Sequence, residues 1–158
     1  PVGKQVTGLE LVAGDRVGRW DVIHPAQGED FPRSTDDALV LRGKFHEVTV
    51  LLLSDLGHDG RQALTRKDVN LQADVLALSV PDRSLPVDLG FLRQVAPKVI
   101  VVQDSQFPVT ERASTQWLAR LRESNATVLS VKNLGGIRLT IEPDGWRLAN
   151  AGGVLFSQ

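Results

Sequence analysis

Two patterns of apolar and polar positions divide the chain. Up to Ser54, short runs rich in apolar and β-branched residues are separated by turn residues. The runs are Val6 to Val12, Trp20 to Ile23, Ala38 to Arg42 and Glu47 to Ser54, with breaks at Gly14-Asp15, Pro25 to Pro32 and Gly43-Lys44-Phe45-His46. This half predicts antiparallel strands, the last two joined as a hairpin. From Gly60 onward strands alternate with helices: a short helix over Arg61 to Arg66, a strand over Val75 to Val80, a helix over Val87 to Val95 and a strand over Val99 to Val102. Thr110 to Ser124 reads as the longest helix, because Ala113, Trp117, Leu118 and Leu121 recur at helical spacing on one face. A strand over Thr127 to Val131 and a hairpin of Ile137 to Ile141 with Trp146 to Leu148 around Pro143-Asp144-Gly145 complete the pattern.

The runs Glu47 to Ser54 and Val99 to Val102 are nearly continuous in apolar residues, as strands covered on both faces are. Helices must therefore cover one face of the sheet and something else the other. The fold class is α/β, on the border with α+β, with a mixed sheet. In such sheets sites form in loops leaving the carboxyl ends of strands, here Ser54 to Gly60, Val80 to Pro86 and Gln103 to Thr110. Residues 1–150 read as one domain and 151–158 as a tail.

Composition narrows the chemistry. The 158 residues carry 18 Lys+Arg against 19 Asp+Glu, a formal net charge of −1, so bulk electrostatics does not hold nucleic acid and any contact with DNA is local. With no cysteine, thiol nucleophiles, disulfides and zinc ribbons are excluded. The apolar run Val50 to Leu53 is far short of the ~20 residues of a membrane-spanning helix. Methionine is absent even from the first position, as expected of a processed chain or a piece of a longer protein. No Gly-x-Ser-x-Gly surrounds Ser79, Ser84 or Ser105, and neither Gly135-Gly136 nor Gly152-Gly153 has the setting of a phosphate loop.

The order and spacing of many short motifs carry a resemblance. Trp20-Asp21-Val22-Ile23-His24-Pro25, Asp36-Asp37-Ala38-Leu39-Val40-Leu41-Arg42 and Leu51-Leu52-Leu53-Ser54-Asp55-Leu56-Gly57 are followed by Ala73-Asp74-Val75-Leu76, Val80-Pro81, Ala96-Pro97-Lys98-Val99, Trp117-Leu118-Ala119-Arg120-Leu121, Leu134-Gly135-Gly136-Ile137-Arg138-Leu139 and Gly145-Trp146-Arg147-Leu148. From about Gly14 to Leu148 the chain resembles the second half of the metallo-β-lactamase-fold domain of ComEC-type competence proteins, which take up transforming DNA through the bacterial membrane. The resemblance implies half of an αββα sandwich, with helices on one sheet face and a two-metal hydrolytic site at the edge between the halves. It also implies a soluble domain of a bacterial membrane protein.

The departures from the family pattern bear most on function. The family's His-x-His-x-Asp-His cluster, which belongs to the first half, is absent. The bridging aspartate is matched by Asp55. At the Val-Pro-His-His-Gly-Ser position the chain reads Val80-Pro81-Asp82-Arg83-Ser84, and at the Tyr-Gly-His-Pro position it reads Ser105-Gln106-Phe107-Pro108, so histidines are missing from both. Arg83 would then be a fixed cation where a metal ligand stood, neutralising Asp55 or Asp82. From the residues alone, Asp55 before Leu-Gly caps a turn and the start of the next helix. Asp55, His58 and Asp82, with Asp59, form a candidate carboxylate–imidazole site for Zn²⁺ or Mn²⁺; otherwise no cofactor is expected. His24 reads as structural and His46 as a solvent-facing turn residue.

The favoured reading is a degenerate domain of a DNA-uptake protein that positions DNA or a partner and hydrolyses nothing by itself. One alternative is a metal-dependent phosphodiesterase or nuclease whose histidine cluster comes from a missing segment. Another is an unrelated protein-interaction module. A half sandwich leaves an apolar sheet face bare, which predicts either a homodimer through that face or the rest of a longer parent protein upon it.

Overall fold

The structure is a computed structural model and describes residues 10–80, 87–109 and 112–158. A seven-stranded sheet runs in the order β1 (Arg16–Val17), β2 (Trp20–His24), β3 (Val40–Phe45), β4 (Val48–Ser54), β5 (Val75–Ser79), β6 (Val99–Gln103) and β7 (Thr127–Ser130). From β1 to β4 neighbours are antiparallel, and from β4 to β7 they are parallel. The crossovers carry α1 (His58–Arg66), α2 (Leu89–Val95) and α3 (Thr115–Arg122). After a single turn, α4 (Val131–Leu134), the chain forms a second sheet in the order β10 (Gly153–Ser157), β9 (Gly145–Asn150), β8 (Arg138–Glu142). The class is α/β with a mixed sheet.

Alternation along the central strands builds two cores. Leu51, Leu76 and Ile100 lie side by side across β4, β5 and β6 and face a cluster with Leu64 of α1, Phe91 and Leu92 of α2, and Trp117 and Leu121 of α3. Their neighbours Val50, Val75 and Val99 face the other way, against Trp146 and Leu148 of β9. Both faces are therefore covered, which is why the central positions of these strands are apolar. The second face is not bare: the three-stranded sheet and α4 lie on it, so the exposed apolar face expected of an isolated half is reduced to its antiparallel end.

Several boundaries differ from expectation for local physical reasons. The turn expected at Gly43 to His46 falls at His46-Glu47, with His46 left-handed at φ 52°, because Gly43 is a strand residue. Helix α3 starts at Thr115, not Thr110, since Ser114 caps it with Oγ accepting from Trp117 N–H at 3.1 Å. The tail expected after residue 150 pairs with β9 as strand β10. Most of the strand expected over Val6 to Val12 lies outside the described residues, and residues 10–12 are not a strand. No helix among the described residues is long and apolar enough to cross a membrane.

Candidate functional site

An open groove of about 570 Å³ lies at the carboxyl ends of the parallel strands, lined by Asp55 after β4, Ser79 and Val80 at the end of β5, Gln103 at the end of β6 with Asp104 and Ser105 after it, and Val131 after β7. Ser54 takes a left-handed conformation, φ 56°, at the last position of β4 and turns the chain so that Asp55 faces the groove. The Asp55 carboxylate accepts from Ser54 Oγ at 3.2 Å. Asp104 is differently placed. It is buried, its two carboxylate oxygens accept from Ser130 Oγ at 2.8 and 3.0 Å, and Oδ1 also accepts from Lys132 N–H at 3.0 Å. Asp104 thereby ties β6 to β7 and holds the first turn of α4.

His58 opens α1 but lines a different groove, on the helical side with Arg61, Asp88 and Arg120. Its Nε2 lies 3.0 Å from Gln62 Nε2. Asp55 and His58 thus border separate concavities. Asp82 and Arg83 lie outside the described residues. No three His, Cys, Asp or Glu side chains are grouped as a metal would need among the described residues.

The capping role expected of Asp55 belongs to Asp36. Asp36 Oδ1 accepts from the N–H groups of Asp59 and Gly60, each at 3.0 Å, so a carboxylate from the loop between β2 and β3 satisfies the first turn of α1. The N-cap, Gly57, has no side chain to do this. Gly57 and Gly60 are what let the loop come so close: a Cβ at Gly57 would strike the Asp36 carboxylate, and one at Gly60 would strike the Asp36 carbonyl oxygen. Arg61 is buried beneath this contact and donates to the Leu56 carbonyl. Burial lowers its pKa from the ordinary value, opposed by the carboxylates of Asp36 and Asp88. No sequence signal near α1 marks Asp36, because the cap comes from 23 residues upstream.

His24 anchors the same loop from behind. Fully buried, it donates from Nε2 to the Asp36 carbonyl at 2.7 Å, while Nδ1 has no hydrogen-bond partner among the described residues and lies 3.5 Å from Glu29 Oε2. That carboxylate is already bound to Lys67 at 2.7 Å and to Ala26 N–H at 2.7 Å. Burial holds the His24 pKa below its ordinary 6.5; the Asp36 carbonyl, Glu29 and Asp37 oppose the shift, and Lys67 reinforces it. The unfolded chain therefore binds a proton that the folded chain refuses, and stability is lost as pH falls below about 6.5. The urea midpoint is expected to fall between about pH 7 and about pH 5, and His24→Gln, which keeps a donor for Asp36, to flatten that slope. An equal slope in the variant would assign the titration elsewhere. Glu29, whose pKa burial raises but the Lys67 and Ala26 contacts lower more, titrates below this window.

Comparison with known proteins finds no matching family model, and no curated protein matches the chain.

Proposed function

We propose that this chain is a metallo-β-lactamase-like domain of the ComEC type from a bacterial DNA-uptake protein, in which the edge that would carry hydrolysis serves as a structural edge. Its work is then done by contact, holding DNA or a protein partner beside the rest of a longer parent chain. The observation that carries the reading is the state of Asp104. Of the two carboxylates that line the groove among the described residues, Asp104 is buried and bound to Ser130 Oγ and Lys132 N–H, joining β6, β7 and α4, which leaves Asp55 as the partly exposed one. A two-metal hydrolytic centre needs several anionic or imidazole ligands converging within ~2.0–2.2 Å of each ion. The donor set of the described residues does not fit it.

The experiment is a calorimetric titration of Zn²⁺ and of Mn²⁺ into chelator-treated protein and into Asp55→Ala. The reading predicts no binding that depends on Asp55. Micromolar binding abolished by Asp55→Ala would overturn it and favour an enzyme.

A further inference from the structure

The loop between β2 and β3 (residues 25–39) is a strap that holds α1 at both ends. At the N-terminal end Asp36 Oδ1 accepts from Asp59 and Gly60 N–H. At the other end Glu29 Oε2 meets Nζ of Lys67, the C-cap of α1, at 2.7 Å. One side chain lies beneath both attachments. His24, wholly buried at the end of β2, reaches the Asp36 carbonyl with Nε2 and comes within 3.5 Å of Glu29 Oε2 with Nδ1.

Lone pairs decide what a proton does here. A neutral imidazole has one N–H, and because Nε2 gives it to the Asp36 carbonyl, Nδ1 carries a lone pair. That lone pair faces a carboxylate oxygen, two acceptors with no hydrogen between them. Glu29 Oε2 already accepts from Ala26 N–H and from Lys67 Nζ, each at 2.7 Å, which takes up its two lone pairs. Protonation makes Nδ1 a third donor aimed at the same oxygen. Either Lys67 gives way, or the carboxylate turns its other oxygen to His24 and carries Oε2 off Lys67. Both outcomes open the clasp at the C-terminal end of α1. Nε2–H stays on the Asp36 carbonyl in either protonation state, so the N-terminal clasp stays shut.

The surroundings allow this exchange of partners. The side chains of Lys67 and Glu29 are 22% and 23% exposed, so a released ammonium reaches water. Pro25 to Glu29 border an open groove of about 700 Å³, which leaves this part of the strap room to move. The charged groups facing His24 are Glu29 of the strap, Asp37 beside Asp36 in the turn Ser34–Asp37, and Lys67 after α1, while β3 sets Val40 opposite it. Glu29 and Asp37 favour the proton; Lys67 and burial oppose it.

We infer that His24 is a proton-operated latch: taking up a proton moves Glu29 from Lys67 to the imidazole and frees the strap from the C-terminal end of α1. Such a latch opens one end of one helix, whereas a loss of global stability opens both, and it stands apart from the carboxyl-edge groove. Amide hydrogen exchange of the full chain, each rate divided by that of an unstructured amide at the same pH, reads the two ends separately. Between about pH 7.5 and about pH 5.0, protection of the Arg66 and Lys67 amides is expected to fall about tenfold further than that of Asp59 and Gly60. His24→Gln keeps a donor for Asp36 but takes up no proton, and should remove the difference between the ends. Lys67→Met has no ammonium to release, so its last turn should show the lowered protection already at about pH 7.5. This second variant carries the test if His24→Gln does not fold. An equal fall at both ends, a difference that persists in His24→Gln, or a last turn in Lys67→Met as protected as in the unaltered chain would overturn the inference.

Discussion

Asp36→Ala is expected to destabilise the fold by about 2–3 kcal/mol, lowering the thermal midpoint by roughly 5–10 °C. The loss has two sources. The N–H groups of Asp59 and Gly60 each lose a charged acceptor at 3.0 Å, one of them in a buried position. Arg61, itself buried, loses a carboxylate that offsets its desolvation. Asp36→Asn keeps an acceptor oxygen but not the charge, so it should lie between the two. Urea unfolding of the three proteins checks the order. A change within about 0.5 kcal/mol for Asp36→Ala would show that water caps α1 as well as the carboxylate does.

Asp104→Ala is expected to cost about 2–3 kcal/mol, and Asp55→Ala under about 0.5 kcal/mol. Both residues line the groove, yet removing Asp104 leaves the Ser130 hydroxyl and Lys132 N–H without their acceptor. Asp55 is bonded only to the hydroxyl of its neighbour Ser54 among the described residues. Were the two a pair of metal ligands, taking away either would relieve repulsion between like charges and stabilise the metal-free chain. The sign of the Asp104→Ala effect in metal-free buffer therefore separates a structural carboxylate from a ligand. Asp104→Asn, which keeps one acceptor oxygen, should recover part of the loss.

What the sequence made legible follows the range of the interactions concerned. The central strands β4 and β6 were readable because burial on both faces removes polar positions, and the β8–β9 hairpin because Pro143-Asp144-Gly145 is a local turn signal. Non-local causes were hidden. Helix α1 begins at His58, three residues before the expected Arg61, because its cap is donated through space by Asp36. Gly43 looked like a turn residue, although its lack of a side chain serves the rings of Trp20 and Phe45. Strand β10, short and opening at Gly153, has no pattern of its own and forms because β9 offers an edge. At the groove, spacing singled out Asp55 from the order of motifs. It passed over Asp104, whose significance comes from Ser130 and Lys132, residues more than a full crossover away.

A carboxyl edge that is structural in this sheet holds no catalytic metal, and titration with metal reads this without intermediaries. Zn²⁺ or Mn²⁺ titrated into chelator-treated protein should give no heat that Asp55→Ala removes, and the metal-loaded protein should not cleave single-stranded DNA. Micromolar binding together with cleavage, both lost in Asp55→Ala, would instead establish the groove as a hydrolytic centre.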